Sequence, residues 1–168
     1  MIIVVIYTII SFLLDGLSSN FISTDIYNPS IFRTIYTVIS LIIIYNYFDN
    51  DNKYLKILFV LGLLFDIVYT NTFLLNIFIF IVIYIIMKLI NDYIPNNLFT
   101  INIKALLGIF IYHFLSYIIL LIVHYDNYSS KLLFLILFRS IIMTIIYTSF
   151  SYIIIKKIYY KKYPKKIK

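Results

Sequence analysis

Cysteine, tryptophan and glutamate are missing from this chain of 168 residues, and alanine occurs once, at Ala105. Without cysteine there is no disulfide framework and no thiolate chemistry. All seven acids are aspartates. Three glycines are too few for a Gly-rich phosphate loop. The three prolines, Pro29, Pro95 and Pro164, all fall outside the long apolar runs, so those runs can continue as unbroken helices. Charged residues make up 12% of the chain, and almost all of them lie between the apolar runs.

Hydrophobic residues fill the rest, at 63% with a mean hydropathy of +1.00. A soluble domain is nearer ~45–50% apolar, so the excess reads as surface meant for lipid. One membrane domain fits the length, with no second globular domain. The dominance of Ile, Tyr, Phe, Asn and Lys suggests an AT-rich genome, which explains part of the 18 tyrosines.

A helix needs ~20 apolar residues to cross a bilayer. Candidate spans cover residues 2–21, 31–48, 54–69, 73–90, 105–123 and 132–155, followed by a Lys-rich tail over 156–168. The expected fold is all-α, a polytopic bundle of six transmembrane helices. The first run lacks the basic start and small-residue cleavage site of a signal peptide. It also carries no Lys or Arg, so a five-span chain is the alternative.

Net charge is +7, and seven of the fourteen basic residues lie in the tail. Basic residues favour the cytoplasmic side. A cytoplasmic tail places Lys53, Lys56, Lys88 and Lys104 on the same side, eleven basic residues against Arg33 and Lys131 opposite. Both termini are then cytoplasmic. The tail lies next to an apolar helix, so membrane lipid, not nucleic acid, is its expected contact.

Three charges break the pattern: Asp15, Asp66 and Arg139 lie inside apolar runs. An ionisable group in hydrocarbon costs at least ~2.5 kcal/mol and is usually paired or functional. At the helical rise, Asp15, Asp66 and Arg139 all fall ~18–20 Å from the cytoplasmic face. Arg33 and Asn76 come close to that level. A structural polar cluster of Asp15, Asp66, Arg139 and Arg33 is expected, with Arg139 paired to Asp66 or Asp15. For Asp66 the alternatives are a carboxylate that caps a helix end or pairs with Arg33, and a partner-binding or conformational switch; Asp15 is the same case, or faces a short water-filled vestibule. Asp66→Asn is expected to disturb the protein more than Asp15→Asn.

His113 and His124, eleven positions apart, do not share a helix face, so no metal site is expected. His113 suits one interhelical hydrogen bond. Ser11, Ser40, Ser116, Ser140 and Thr144 lie in apolar helices without a His–Asp arrangement, so no catalytic site and no cofactor is expected. Such hydroxyls usually bond a carbonyl of their own helix. Tyr45, Tyr47 and Tyr54 at one face, and Tyr125 and Tyr128 at the other, read as interfacial belts.

Residues 59–80 read FVLGLLFDIVYTNTFLLNIFIF. Gly62, Leu63, Leu64, Phe65 and Asp66, then Tyr69 and Thr70, a short turn and Asn76, resemble the rod shape-determining protein MreD family. FLLDGLSSNFI, with Asp15 and Gly16, is similar to that family's first helix. FRSIIMTIIYTSF, with Thr144 and Thr148, is similar to its last. The chain departs from the family at Phe73 to Leu75, where a glycine is common, and in lacking a proline in the last helix.

The resemblance implies a non-enzymatic scaffold of the bacterial cell-elongation machinery, located in the cell membrane. Implied partners are an extracytoplasmic MreC-like protein, an MreB-like filament reached directly or indirectly, and wall-synthesis enzymes, a glycosyltransferase and a penicillin-binding protein. The third-to-fourth helix turn would face MreC. Thr70 and Asn76 would bond that partner or else merely cap helix ends, and Ile67, Phe73 and Phe78 would pack its membrane helix. A remote similarity in fold to vitamin-transporter binding subunits is also implied. The alternative function is therefore a substrate-binding membrane subunit of a vitamin or small-molecule transporter.

Overall fold

The computed structural model describes residues 2–21, 34–48, 50–70, 72–123 and 130–162. These form α1 (Ile2–Phe21), α2 (Tyr36–Tyr45), α3 (Asp51–Phe65), α4 (Leu75–Tyr93), α5 (Leu98–Ile122) and α6 (Ser130–Lys162). A π-helical turn, Asp66–Thr70, continues α3. There is no strand among the described residues.

Local sequence starts two of the helices. The Asn50 side chain accepts from the amide of Asn52 at the head of α3. Asn97 and Thr100 form a reciprocal capping box at the head of α5. Neither α2 nor α4 has such a device. Their caps, Ile35 and Leu74, bring no side-chain acceptor.

Helix α2 is shorter than the sequence run suggests. Hydropathy marks residues 31–48, yet the helix holds ten residues. Ten residues rise ~15 Å, about half of a ~30 Å hydrocarbon core. Every side chain from Tyr36 to Ile44 is buried. Helices α1, α4, α5 and α6 all pack against it. An all-round apolar helix finds its place at the centre.

Three helices are long and apolar enough to cross a membrane: Leu75–Tyr93, Leu98–Ile122 and the Ser130–Tyr159 part of α6. The side-chain distribution is inverted relative to a soluble protein. Along α1, Val4, Thr8, Ser11 and Asp15 point inward, whereas Ile6, Ile9, Ile10, Leu13 and Leu17 point outward. Along α6, Ser140, Thr144, Thr148 and Ser151 are buried, and Ile142, Ile146, Phe150 and Ile153 are exposed. Hydroxyls inside and isoleucine outside is the arrangement of a membrane protein.

One end of the bundle gathers basic groups. Lys88 pairs with Asp51 at 2.5 Å, and Lys156 lies 5.4 Å from the Tyr152 ring centre. Lys104 differs from the expectation that it is a loop charge. It lies within α5, is 2% exposed, and donates to the Asn91 side chain, to Asn96 at 2.6 Å and to the Ile94 carbonyl at 3.1 Å. Three oxygens replace the water a buried ammonium would lose. Tyr54 also departs from the belt reading. It is buried, donates to the Leu41 carbonyl at 3.1 Å, and packs against Tyr45, Phe48 and Tyr84. Tyr125, Tyr128 and His124 lie outside the described residues.

Candidate functional site

The opposite end carries the two buried carboxylates, and each supplies the cap that a following helix lacks. Asp15 of α1 is 8% exposed. Its Oδ1 accepts from the amide of Tyr36 at 2.8 Å. Its Oδ2 accepts from the amide of Thr37 at 2.8 Å and from the Thr37 hydroxyl at 2.5 Å. The first turn of α2 is thus closed from another helix, and the carboxylate meets the positive end of a helix dipole.

Asp66 does the same for α4 and is fully buried. Its Oδ1 accepts from the Thr72 hydroxyl at 2.5 Å, the Asn76 amide at 3.0 Å and Asn76 Nδ2 at 2.8 Å. Oδ2 accepts nothing from the described residues. The geometry needs the π turn at Asp66–Thr70 and Leu74 at φ 61°. A positive φ on a non-glycine residue is strained. Here it turns the chain sharply enough to bring Asn76 back over Asp66.

Asn76 extends the knot, donating to Thr70 Oγ1 at 3.0 Å and accepting from the Tyr112 hydroxyl at 2.7 Å. The glycines permit the close packing around it. A Cβ at Gly62 would lie 2.7 Å from Ile77 Cγ1 and 2.9 Å from its Cα. One at Gly16 would lie 2.7 Å from the Tyr69 hydroxyl, which donates to the Phe12 carbonyl at 2.6 Å.

The two Asp regions meet around a partly open cavity of about 280 Å³. Asp15 and Ser18 line it from α1, and Thr34 and Ile35 from the start of α2. Phe65, Tyr69 and Thr70 line it from α3 and the π turn, and Tyr112 and His113 from α5. Helix α6 buttresses the same side through Thr144 to Thr34 at 2.7 Å and Tyr147 to Ser11 at 2.8 Å.

The expected polar cluster is therefore present in part and differently made. Asp15 and Asp66 lie at one end, but neither pairs with Arg139; the only ion pair among the described residues is Lys88–Asp51. Hydroxyl and amide donors satisfy the carboxylates instead. Arg139 is half-buried on α6 and makes other contacts. Arg33 lies outside the described residues.

Asn76 is also not a partner-facing group. It is fully buried and its side chain is spent inside the hairpin. Thr70 is exposed, with its hydroxyl shared between Asn76 and Thr72. Ile67, Phe73 and Phe78 do face outward, at 71%, 84% and 55% exposure.

Sequence reasoning missed Thr37 and Tyr112 as site groups and had Tyr69 only as part of the resemblance. For Thr37 a signal existed: Thr34, Thr37 and Ser40 recur on one face of an otherwise apolar run. Ser11 and Ser140 bond carbonyls four and three positions back, as such hydroxyls do.

No group of three metal-ligating side chains occurs among the described residues. Comparison with family models, with curated proteins and with solved structures finds no match.

Proposed function

We propose that this chain is a non-enzymatic, multi-pass scaffold of a bacterial cell membrane that serves the cell-elongation machinery. In this reading six helices cross or enter the bilayer, with both termini and the Lys-rich tail in the cytoplasm. The supporting observation is the α3–α4 hairpin. Among the residues that carry the resemblance to MreD, Asp66, Thr70 and Asn76 are joined by hydrogen bonds in one turn, and Gly62 packs against the adjoining Ile77. Beside them Ile67, Phe73 and Phe78 project outward. A rigid turn with exposed apolar side chains suits a protein's membrane helix, whose packing in lipid depends on shape.

An MreC-like protein is the partner this reading names, and an MreB-like filament and wall-synthesis enzymes complete the assembly. Depletion of the chain should round rod-shaped cells. The tagged chain should co-purify an MreC-like protein, and alanine at Ile67, Phe73 and Phe78 together should reduce that recovery at unchanged expression. Normal shape on depletion, or no such partner in the wild-type preparation, would remove the scaffold reading.

The cavity beside Asp15 favours a second reading, a substrate-binding subunit of a small-molecule transporter. Loss of uptake with unchanged cell shape on depletion would select it.

A further inference from the structure

The two buried aspartates differ in one respect. Asp66 is sealed within the hairpin, whereas Asp15 forms part of a cavity wall. An ionised carboxylate offers ~four acceptor positions, and Asp15 uses three. The helix terminus it caps offsets only about half a charge. Asp15 has no ion-pairing cation among the described residues. In a low-dielectric surrounding, a carboxylate so placed attracts a positive ligand.

The remaining wall decides which kind. Phe65, Tyr69 and Tyr112 bring aromatic rings to the same cavity, with Phe65 and Tyr69 centroids 4.9 Å apart. The Tyr69 ring is held by its bond to the Phe12 carbonyl. Aromatic faces attract organic cations. A volume of about 280 Å³ is far larger than a metal ion needs. No metal-ligating cluster is present among the described residues, and an anion would be repelled by Asp15.

The geometry points to a binding site for a small organic ammonium ion, its nitrogen at Asp15 and its carbon body against Phe65, Tyr69 and Tyr112. The inference goes beyond the scaffold reading and does not depend on it. His113 is the basic group on the lining. Charged, it would oppose such a ligand.

The full chain in lipid nanodiscs is titrated with phenethylammonium, neutral 2-phenylethanol and anionic phenylacetate by calorimetry. Phenethylammonium should bind at least about tenfold tighter than the alcohol, which is ~1.4 kcal/mol, and phenylacetate should be weakest. Ser18→Phe, which fills the cavity beside Asp15, should weaken the cation at least about tenfold. The charge series on the wild-type chain stands even if that variant fails to fold. Equal binding of the alcohol, tighter binding of phenylacetate, no saturable binding of phenethylammonium, or an unchanged affinity in folded Ser18→Phe would each overturn the assignment.

Discussion

Replacing each buried aspartate by asparagine separates two carboxylates that look alike in the sequence. Asp66 takes all three of its hydrogen bonds on Oδ1, and Oδ2 takes none from the described residues. Asparagine can keep its carbonyl oxygen at the Oδ1 position and place its amide where nothing is accepted. Its amide is neutral, so the cost of burying a charge also disappears. The amide N–H groups at the buried Oδ2 position meet no acceptor, so Asp66→Asn should cost ~1–3 kcal/mol while the three donors to Oδ1 keep their partner. Asp15 uses both oxygens. An amide there turns a donor toward either the Tyr36 or the Thr37 backbone N–H, so that backbone donor and the new amide both go unpaired. Each costs ~1–3 kcal/mol. The expected order is the reverse of the one that the sequence suggests. Asp66→Ala supplies the upper reference, because it strands the Asn76 amide and side chain, each at ~1–3 kcal/mol. Unfolding of the reconstituted protein by a denaturing detergent, followed by circular dichroism, reads the three variants side by side. If Asp66→Asn lost as much as Asp66→Ala, or more than Asp15→Asn, the hydrogen-bond assignment at Asp66 would be wrong.

Gly62→Ala should destabilise by ~1–3 kcal/mol or more, because the added methyl meets the Ile77 backbone, which cannot rotate away; a variant as stable as wild type in the same assay would contradict the α3–α4 approach. For orientation, a cysteine at Ser130 should react with an impermeant thiol reagent in intact cells and one at Asn52 should not, and the opposite labelling would invert the bundle. Lys88 lowers the pKa of Asp51 through its hydrogen bond, so the pair's stabilisation is present above the ordinary carboxylate pKa of ~3.9 and fades as pH falls through the lower folded value. Both partners are more than a third exposed, so solvent screens the pair; a clearly shifted acid transition in Lys88→Met would mean that it does not.

Hydropathy and turn residues made most of the helices legible. The run at 2–21 is α1, α4 is shifted two to three residues along its run, and α5 and α6 extend theirs by about two turns. The charge alternation between ends was also legible, since Lys88, Lys104 and Lys156 gather at one end. The extent of α2 was not. Its run stays apolar on average over 31–48 despite Thr34, Thr37 and Ser40, so mean hydropathy carries no mark of where the helix starts or stops. The site was legible as residues and not as bonds. Depth placed Asp15 and Asp66 at one level, but depth alone cannot tell an arginine partner from a helix terminus. Asn76 looked available because it follows a short turn. Its burial depends on the π turn and on Leu74 in a left-handed conformation, which local propensity does not favour at leucine. Lys104 read as a loop charge because its acceptors, Asn91 and Asn96, meet it only after the α4–α5 connection folds.

Why arginine is not needed at the carboxylates follows from burial. Inside the bundle, the first amides of α2 and α4 have no water to satisfy them. Ile35 and Leu74 cannot do so either. A carboxylate from the preceding helix answers both costs at once: the amides gain an acceptor, and the charge gains donors and the positive end of a dipole. The same bonds tie α1 to α2 and the end of α3 to α4, so each pair is fixed in register by one residue. Arg139 at either site would neutralise the charge but leave the helix terminus open. The two sites then diverge only in access. Around Asp66 the hairpin closes completely, and the carboxylate is a structural clasp. Around Asp15 the aromatic wall stands off and leaves a space. The same capping chemistry therefore gives a fixed joint at Asp66 and a cavity of negative character at Asp15.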